Sequence, residues 1–121
     1  MTQKVDLEVM RGDTKKYDVT ITNGTTGQAY DISDDTVTFT VKENKSDAIG
    51  SAKINHVNGS GEDEEHSDPT NGKTQINLSI TETNLTPKTY YYDIQWDRSN
   101  GERRTLQYGK FEVLTDITTV S

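Results

Sequence analysis

Thr89-Tyr-Tyr-Tyr-Asp-Ile-Gln-Trp96 decides the fold class. Tyr90, Tyr92, Ile94 and Trp96 share one parity, and Tyr91, Asp93, Gln95 and Asp97 share the other. Side chains alternate across a strand, so this spacing predicts a β-strand with one heavy aromatic face and one polar face. Arg98-Ser-Asn-Gly-Glu102 then turns the chain, and Arg103 to Leu114 reads as the returning strand of a hairpin. In that return, Leu106 and Tyr108 have one parity and Phe111 and Val113 the other, with Gly109 at the switch. A β-bulge at Gly109 is expected to bring all four onto the core face. Only Tyr91, Asp93 and Gln95 then remain as a surface for a partner.

Outward from the hairpin the same alternation recurs. Val5, Leu7 and Val9 alternate with acidic residues and predict a first strand. Tyr17, Val19 and Ile21 predict a second, after the turn Arg11-Gly-Asp-Thr14. Asn23-Gly-Thr-Thr-Gly27 reads as a turn, Ala29-Tyr-Asp-Ile32 as a short edge strand, and Ser33-Asp-Asp35 as another turn. Val37, Phe39 and Val41 predict a strand whose threonines, Thr38 and Thr40, face solvent. Residues 43–50 read as a loop or a single helical turn, and Ala52, Ile54 and His56 as a weaker strand. Ile76, Leu78 and Ile80 predict another strand, and a helical turn capped by Thr81 ends before Pro87. Residues 58–73, with three glycines, a proline and no large apolar side chain, predict an exposed acidic loop. Residues 116–121 read as a flexible tail.

About seven or eight short strands with almost no helix predict an all-β antiparallel β-sandwich, immunoglobulin-like, in a single domain over residues 1–115. Only 29% of the 121 residues are hydrophobic, so the core is expected to be thin. The net charge of -7 disfavours nucleic acid and anionic membranes as partners. The chain holds no cysteine, which excludes a disulfide framework and thiol chemistry. No signal peptide and no transmembrane segment are read in it. The Asn-X-Ser/Thr sequons at Asn23, Asn44, Asn58, Asn77 and Asn84 follow from an Asn- and Thr-rich composition.

The residue types offer little chemistry. The run Glu62-Asp-Glu-Glu65 lacks the alternating carboxylates of a calcium loop and reads as a solvated acidic segment. His56 and His66 have no third ligand at metal spacing, and no Gly-x-Ser-x-Gly elbow accompanies them. Arg11-Gly-Asp13 reads as a tight turn, not as an adhesion tripeptide. The expectation is therefore no catalytic residue, no cofactor-binding residue and no metal site. With Tyr90 and Tyr92 in the core, Tyr91 alone makes a poor sugar platform.

Three segments together resemble a known group: Arg11-Gly-Asp-Thr14 before a strand, Tyr30-Asp-Ile-Ser-Asp-Asp-Thr-Val-Thr-Phe-Thr-Val-Lys42, and the Thr89–Trp96 strand followed by Arg104-Thr-Leu-Gln-Tyr-Gly-Lys-Phe-Glu-Val-Leu114. Their order is similar to small immunoglobulin-like structural proteins of tailed bacteriophages and prophages. It also resembles the N-terminal domain of the baseplate upper protein of siphophages. The likeness runs over residues 5–115. It implies a β-sandwich and a virion role in tail, baseplate or head decoration, made in the bacterial host cytoplasm. Its implied partners are other virion structural proteins or further copies of the chain, a homo-oligomer. It carries over no catalytic residue. Two departures stand out: the chain stops at Ser121, where a stalk and a receptor-binding part are expected to follow, and the 58–73 loop looks like an insertion. The alternative function is a carbohydrate-binding or adhesion module contacting the host cell surface through Tyr91, Tyr30 and the 58–73 loop.

Overall fold

The computed structural model describes residues 3–47 and 51–115. Ala48, Ile49 and Gly50 of the predicted 43–50 loop, and the 116–121 tail, lie outside the described residues. Among the described residues eight strands, one short α-helix and one 3-10 turn (Pro69–Asn71, between β5 and β6) are formed: β1 (Gln3–Lys4), β2 (Leu7–Met10), β3 (Lys15–Thr20), β4 (Thr36–Lys42), β5 (Ile54–Asn58), β6 (Lys73–Leu78), α1 (Ile80–Thr83), β7 (Lys88–Asp97) and β8 (Arg103–Leu114). They form two sheets, so the fold is an all-β, sandwich-like one. The large sheet runs β1-β8-β7-β4-β5, with β2 also on β8, and the small sheet is the pair β3-β6.

Parity puts Tyr90, Tyr92, Ile94 and Trp96 of β7 in the core, as the alternation predicts. Val37, Phe39 and Val41 of β4 lie opposite Trp96, Ile94 and Tyr92, and all three are fully buried. Ile76 and Leu78 of β6 close the core from the small sheet, and Tyr17 of β3 stacks on Phe39 at 5.7 Å between ring centroids. Trp96 is fixed at both ends. Tyr30 packs on its ring at 5.0 Å, and its indole N–H donates to the buried Asp35 carboxylate at 2.9 Å. That carboxylate also accepts from Ser99 N at 2.9 Å, which anchors the β7–β8 turn. A buried indole needs such a partner, because an unpaired buried donor costs about 1–3 kcal/mol.

The bulge lies elsewhere than expected. Gly109 pairs in register with Tyr92, and the irregularity falls between Ile94 and Gln95, where Thr105 and Gln107 are their partners and Leu106 is the extra residue. Leu106 thereby packs against the core with Phe111 and Val113, while Tyr108 points outward and is 41% exposed. Gly109 serves a different purpose. A Cβ there would collide with the Val5 carbonyl, so only glycine lets the N-terminal strand cross this point. The Val5 carbonyl accepts from the Tyr92 hydroxyl at 2.5 Å, and the Asp6 carboxylate accepts from Lys110 N at 3.0 Å. These two bonds break the predicted first strand into β1 and β2. Both pair with β8 in parallel, so the sheet is not wholly antiparallel.

Three smaller expectations also change. Ala29 makes only an isolated bridge with Thr22; the chain then leaves the sheet because Ile32 N bonds to Pro69 O, which seats Ile32 in the core. Thr40 is buried, since β4 is a central strand flanked by β5 and β7. The cap of α1 is Ser79 and not Thr81. Ser79 and Glu82 form a reciprocal capping box, with Ser79 Oγ accepting from Glu82 N and Glu82 accepting from Ser79 N.

The 59–72 segment is mostly exposed, but it is bonded along its length as a strap. Glu64 N donates to Val57 O and Gly59 N to Glu64 O, so it runs along the free edge of β5. Gly72 closes it at φ 68°, against the backbone of Ile21 and Tyr30.

Candidate functional site

The polar face of β7 is the surface that the sequence assigns to a partner. The strand places Tyr91, Asp93 and Gln95 on the outer side of the large sheet, each half-buried. Asp93 sits between Thr40 of β4 and Tyr108 of β8, and Tyr91 between Lys42 and Lys110. Together Thr40, Lys42, Lys45, Tyr91, Asp93 and Tyr108 line a cleft of about 340 Å³. The Lys45 ammonium lies 5.2 Å from the Tyr91 ring centre, within reach of a cation–π contact. Burial raises the Asp93 pKa above the ordinary carboxylate value, and the charge of Lys42 opposes that rise only in part. Gln95 is on the same face but does not line the cleft.

Tyr30 and the strap are not part of this site. Tyr30 packs on Trp96, on the core side of the large sheet, whereas Tyr91 has the opposite parity. Arg98 covers both Tyr30 and Trp96, with its guanidinium 5.2 Å and 5.1 Å from the two ring centres. The trio Tyr91, Tyr30 and 58–73 is thus not brought together.

A second cleft, of about 740 Å³, opens between the sheets. The small sheet has two strands against a much wider partner, so it leaves the start of β8 uncovered. Ile94, Trp96 and Leu106 line this cleft, and Asp18, Val19 and Thr20 of β3 form its rim. Among the described residues β3 pairs with β6 alone, so its other side presents unpaired backbone N–H and C=O groups.

The histidines are absorbed into structure. His56 is 7% exposed, on the core side of β5. Its Nδ1 meets Glu82 Oε2 at 2.8 Å and its Nε2 meets Glu64 Oε1 at 2.9 Å. Burial alone would lower its pKa, but the hydrogen bonds and charges of Glu82 and Glu64 outweigh burial and hold it above the ordinary value. Burial would raise the Glu64 pKa; bonds from the backbone and side chain of Asn77, then His56, hold it low instead. A protonated imidazole donates from both ring nitrogens, which suits a site with a carboxylate on either side. His66 Nε2 meets Asp35 O and its Nδ1 meets Thr74 Oγ1, both at 2.9 Å. Thr74 Oγ1 also accepts from Asn58 Nδ2 at 2.9 Å.

The acidic run diverges. Asp63 accepts from Val57 N, Glu65 from Gly61 N, and Glu64 turns in to His56 and Asn77. Among the described residues no three His, Asp or Glu side chains converge as a metal site. Nor is any helix among them long and apolar enough to cross a membrane.

Two features here escape the sequence reading. The Ser79-x-x-Glu82 spacing carries the signature of a capping box and locates one partner of His56. Tyr108 is found by counting β8 in phase back from Val113, Phe111 and Gly109. In comparison with known proteins, the chain matches no protein-family model and no curated protein.

Proposed function

We propose that this chain is a non-enzymatic structural module of a phage or prophage virion, in tail, baseplate or head decoration, that works through protein–protein contacts. The resemblance of residues 5–115 to phage immunoglobulin-like proteins supports this reading, and so does the sandwich-like fold. The observation that carries the contact is the edge of β3. Its Asp18–Thr20 half borders the inter-sheet cleft and is open on one side. An extended segment of a neighbouring virion subunit adds there as a third strand, through main-chain hydrogen bonds, with apolar side chains entering the cleft. Lys15 and Lys16, at the other half of β3, keep that end from unspecific edge pairing.

Cross-linking mass spectrometry of purified particles tests it. The chain is expected at stoichiometric level, with Lys15 and Lys16 linked to a neighbouring subunit. Particles that lack the chain contradict the virion role. Particles that contain it with β3 unlinked and its amides freely exchanging contradict the docking edge.

A further inference from the structure

The outer-face cleft holds an unusual combination for the middle of a sheet. Tyr108 is 41% exposed although β8 is flanked on both sides, by β1 and β7. Tyr91 lies diagonal to it, across Asp93. No described group donates a hydrogen bond to the Asp93 carboxylate; Lys42 acts on it through charge alone. This half-buried acceptor is therefore already partly stripped of water and still unspent. Lys42 and Lys45 add donors at the same rim.

The chemistry selects among small ligands. A cation would suit two tyrosine faces and a carboxylate, but the two lysines oppose it. A phosphate would suit the lysines, but Asp93 repels it and the tyrosine faces go unused. A neutral polyhydroxylated ring uses every part. Its hydroxyls donate to Asp93 and accept from Lys42 and Lys45, and its C–H faces lie on Tyr108 and, once Lys45 swings from the Tyr91 ring to a sugar hydroxyl, on Tyr91. The volume, about 340 Å³, is at the small end of ligand sites and fits one or two sugar rings. We propose that the cleft lined by Tyr91, Asp93 and Tyr108 is a binding site for a neutral saccharide. This site is separate from the β3 edge and lies on the opposite face of the large sheet from the inter-sheet cleft.

The proposal stands apart from the virion role, and its test uses the full chain in solution. Isotope-labelled protein is titrated with the methyl glycosides of glucose, galactose, rhamnose and N-acetylglucosamine, and separately with choline and inorganic phosphate. At least one glycoside is expected to bind saturably in the millimolar range and to shift the amides of Tyr91, Asp93 and Tyr108. Tyr108→Ala and Asp93→Ala are expected to abolish that binding while circular dichroism and the remaining amide spectrum stay native. Tyr108→Phe is expected to retain stacking and most of the affinity, which covers the case in which an alanine variant fails to fold. Three results overturn the site: no glycoside binds the folded chain, choline or phosphate binds in preference, or binding survives in folded Tyr108→Ala.

Discussion

The β7–β8 hairpin holds the middle of the large sheet and the 59–72 strap holds its β5 edge, by opposite means. The hairpin uses apolar parity: Tyr90, Tyr92, Ile94 and Trp96 face Phe111, Gly109, Gln107 and Arg104 in an unbroken register but for the Leu106 bulge. The strap contributes no large apolar side chain to the core. It is held to β5 by Glu64, His56 and backbone bonds, and by His66 to the Asp35 carbonyl just before β4 and to Thr74 of β6. Apolar packing carries no titrating group and is insensitive to pH, whereas a knot of titrating groups is not. A chain that is only 29% hydrophobic thus combines one part that is stable by burial with one that is stable by charge state.

The largest expected break is Trp96→Ala. A fully buried aromatic cut to alanine costs about 3–5 kcal/mol, and here the Asp35 carboxylate also loses its indole donor. For a thin core that is most of the stability, and urea denaturation is expected to find the variant largely unfolded.

His56→Ala comes next. It removes the imidazole between Glu64 and Glu82, leaving two carboxylates without their shared partner. The expected cost is about 1–3 kcal/mol, confined at first to the strap. Hydrogen exchange at Gly59 and Glu64 is expected to rise while that of β7 stays protected. Equal loss of protection in β7 would show that the two regions are not separable.

The pH profile separates them further. The His56 pKa is raised above 6.5, so its contribution is complete below pH 6.5 and is lost as pH rises through the folded-state value. The Glu64 pKa is lowered below 4.5, so its contribution is complete above pH 4.5 and is lost as pH falls through the folded-state value. Strap protection is therefore expected to be greatest between pH 4.5 and 6.5 and to decline on either side. His56→Gln is expected to remove the alkaline decline, read by amide exchange against pH.

Tyr91→Ala is the smallest of the set. Its ring is half-buried on the outer face beneath Lys45, and the expected loss is within about 1 kcal/mol.

The same contrast explains what the sequence discloses. Period-two alternation is a local signal, and it places the apolar faces of β4 and β7 and of β6 as far as Leu78, because each residue's neighbours at i±2 report the same environment; it fails at Ile80, which opens α1 and is exposed, and at Thr40, which is buried. The partners of His56 are Glu64 and Glu82, distant in the chain and alike in type to the exposed acids beside them. The capping-box spacing marks Glu82, but no local pattern marks Glu64 as turned inward. The bulge shows the limit of parity itself. A single extra residue restores the phase, and both Leu106 and Gly109 are compatible with the pattern. The Val5 carbonyl, a contact across the whole chain, decides between them. That choice turned Tyr108 outward and supplied the second ring of the cleft, which the sequence alone withholds.

Everything said of the outer face depends on the parity of β8, and Tyr108→Ala tests it most directly. Its unfolding free energy, from urea denaturation, is expected to lie within about 1 kcal/mol of the parent chain, as for an exposed side chain. A loss of about 3–5 kcal/mol, the cost of emptying a core position, would place Tyr108 inside and contradict both the register and the cleft built on it.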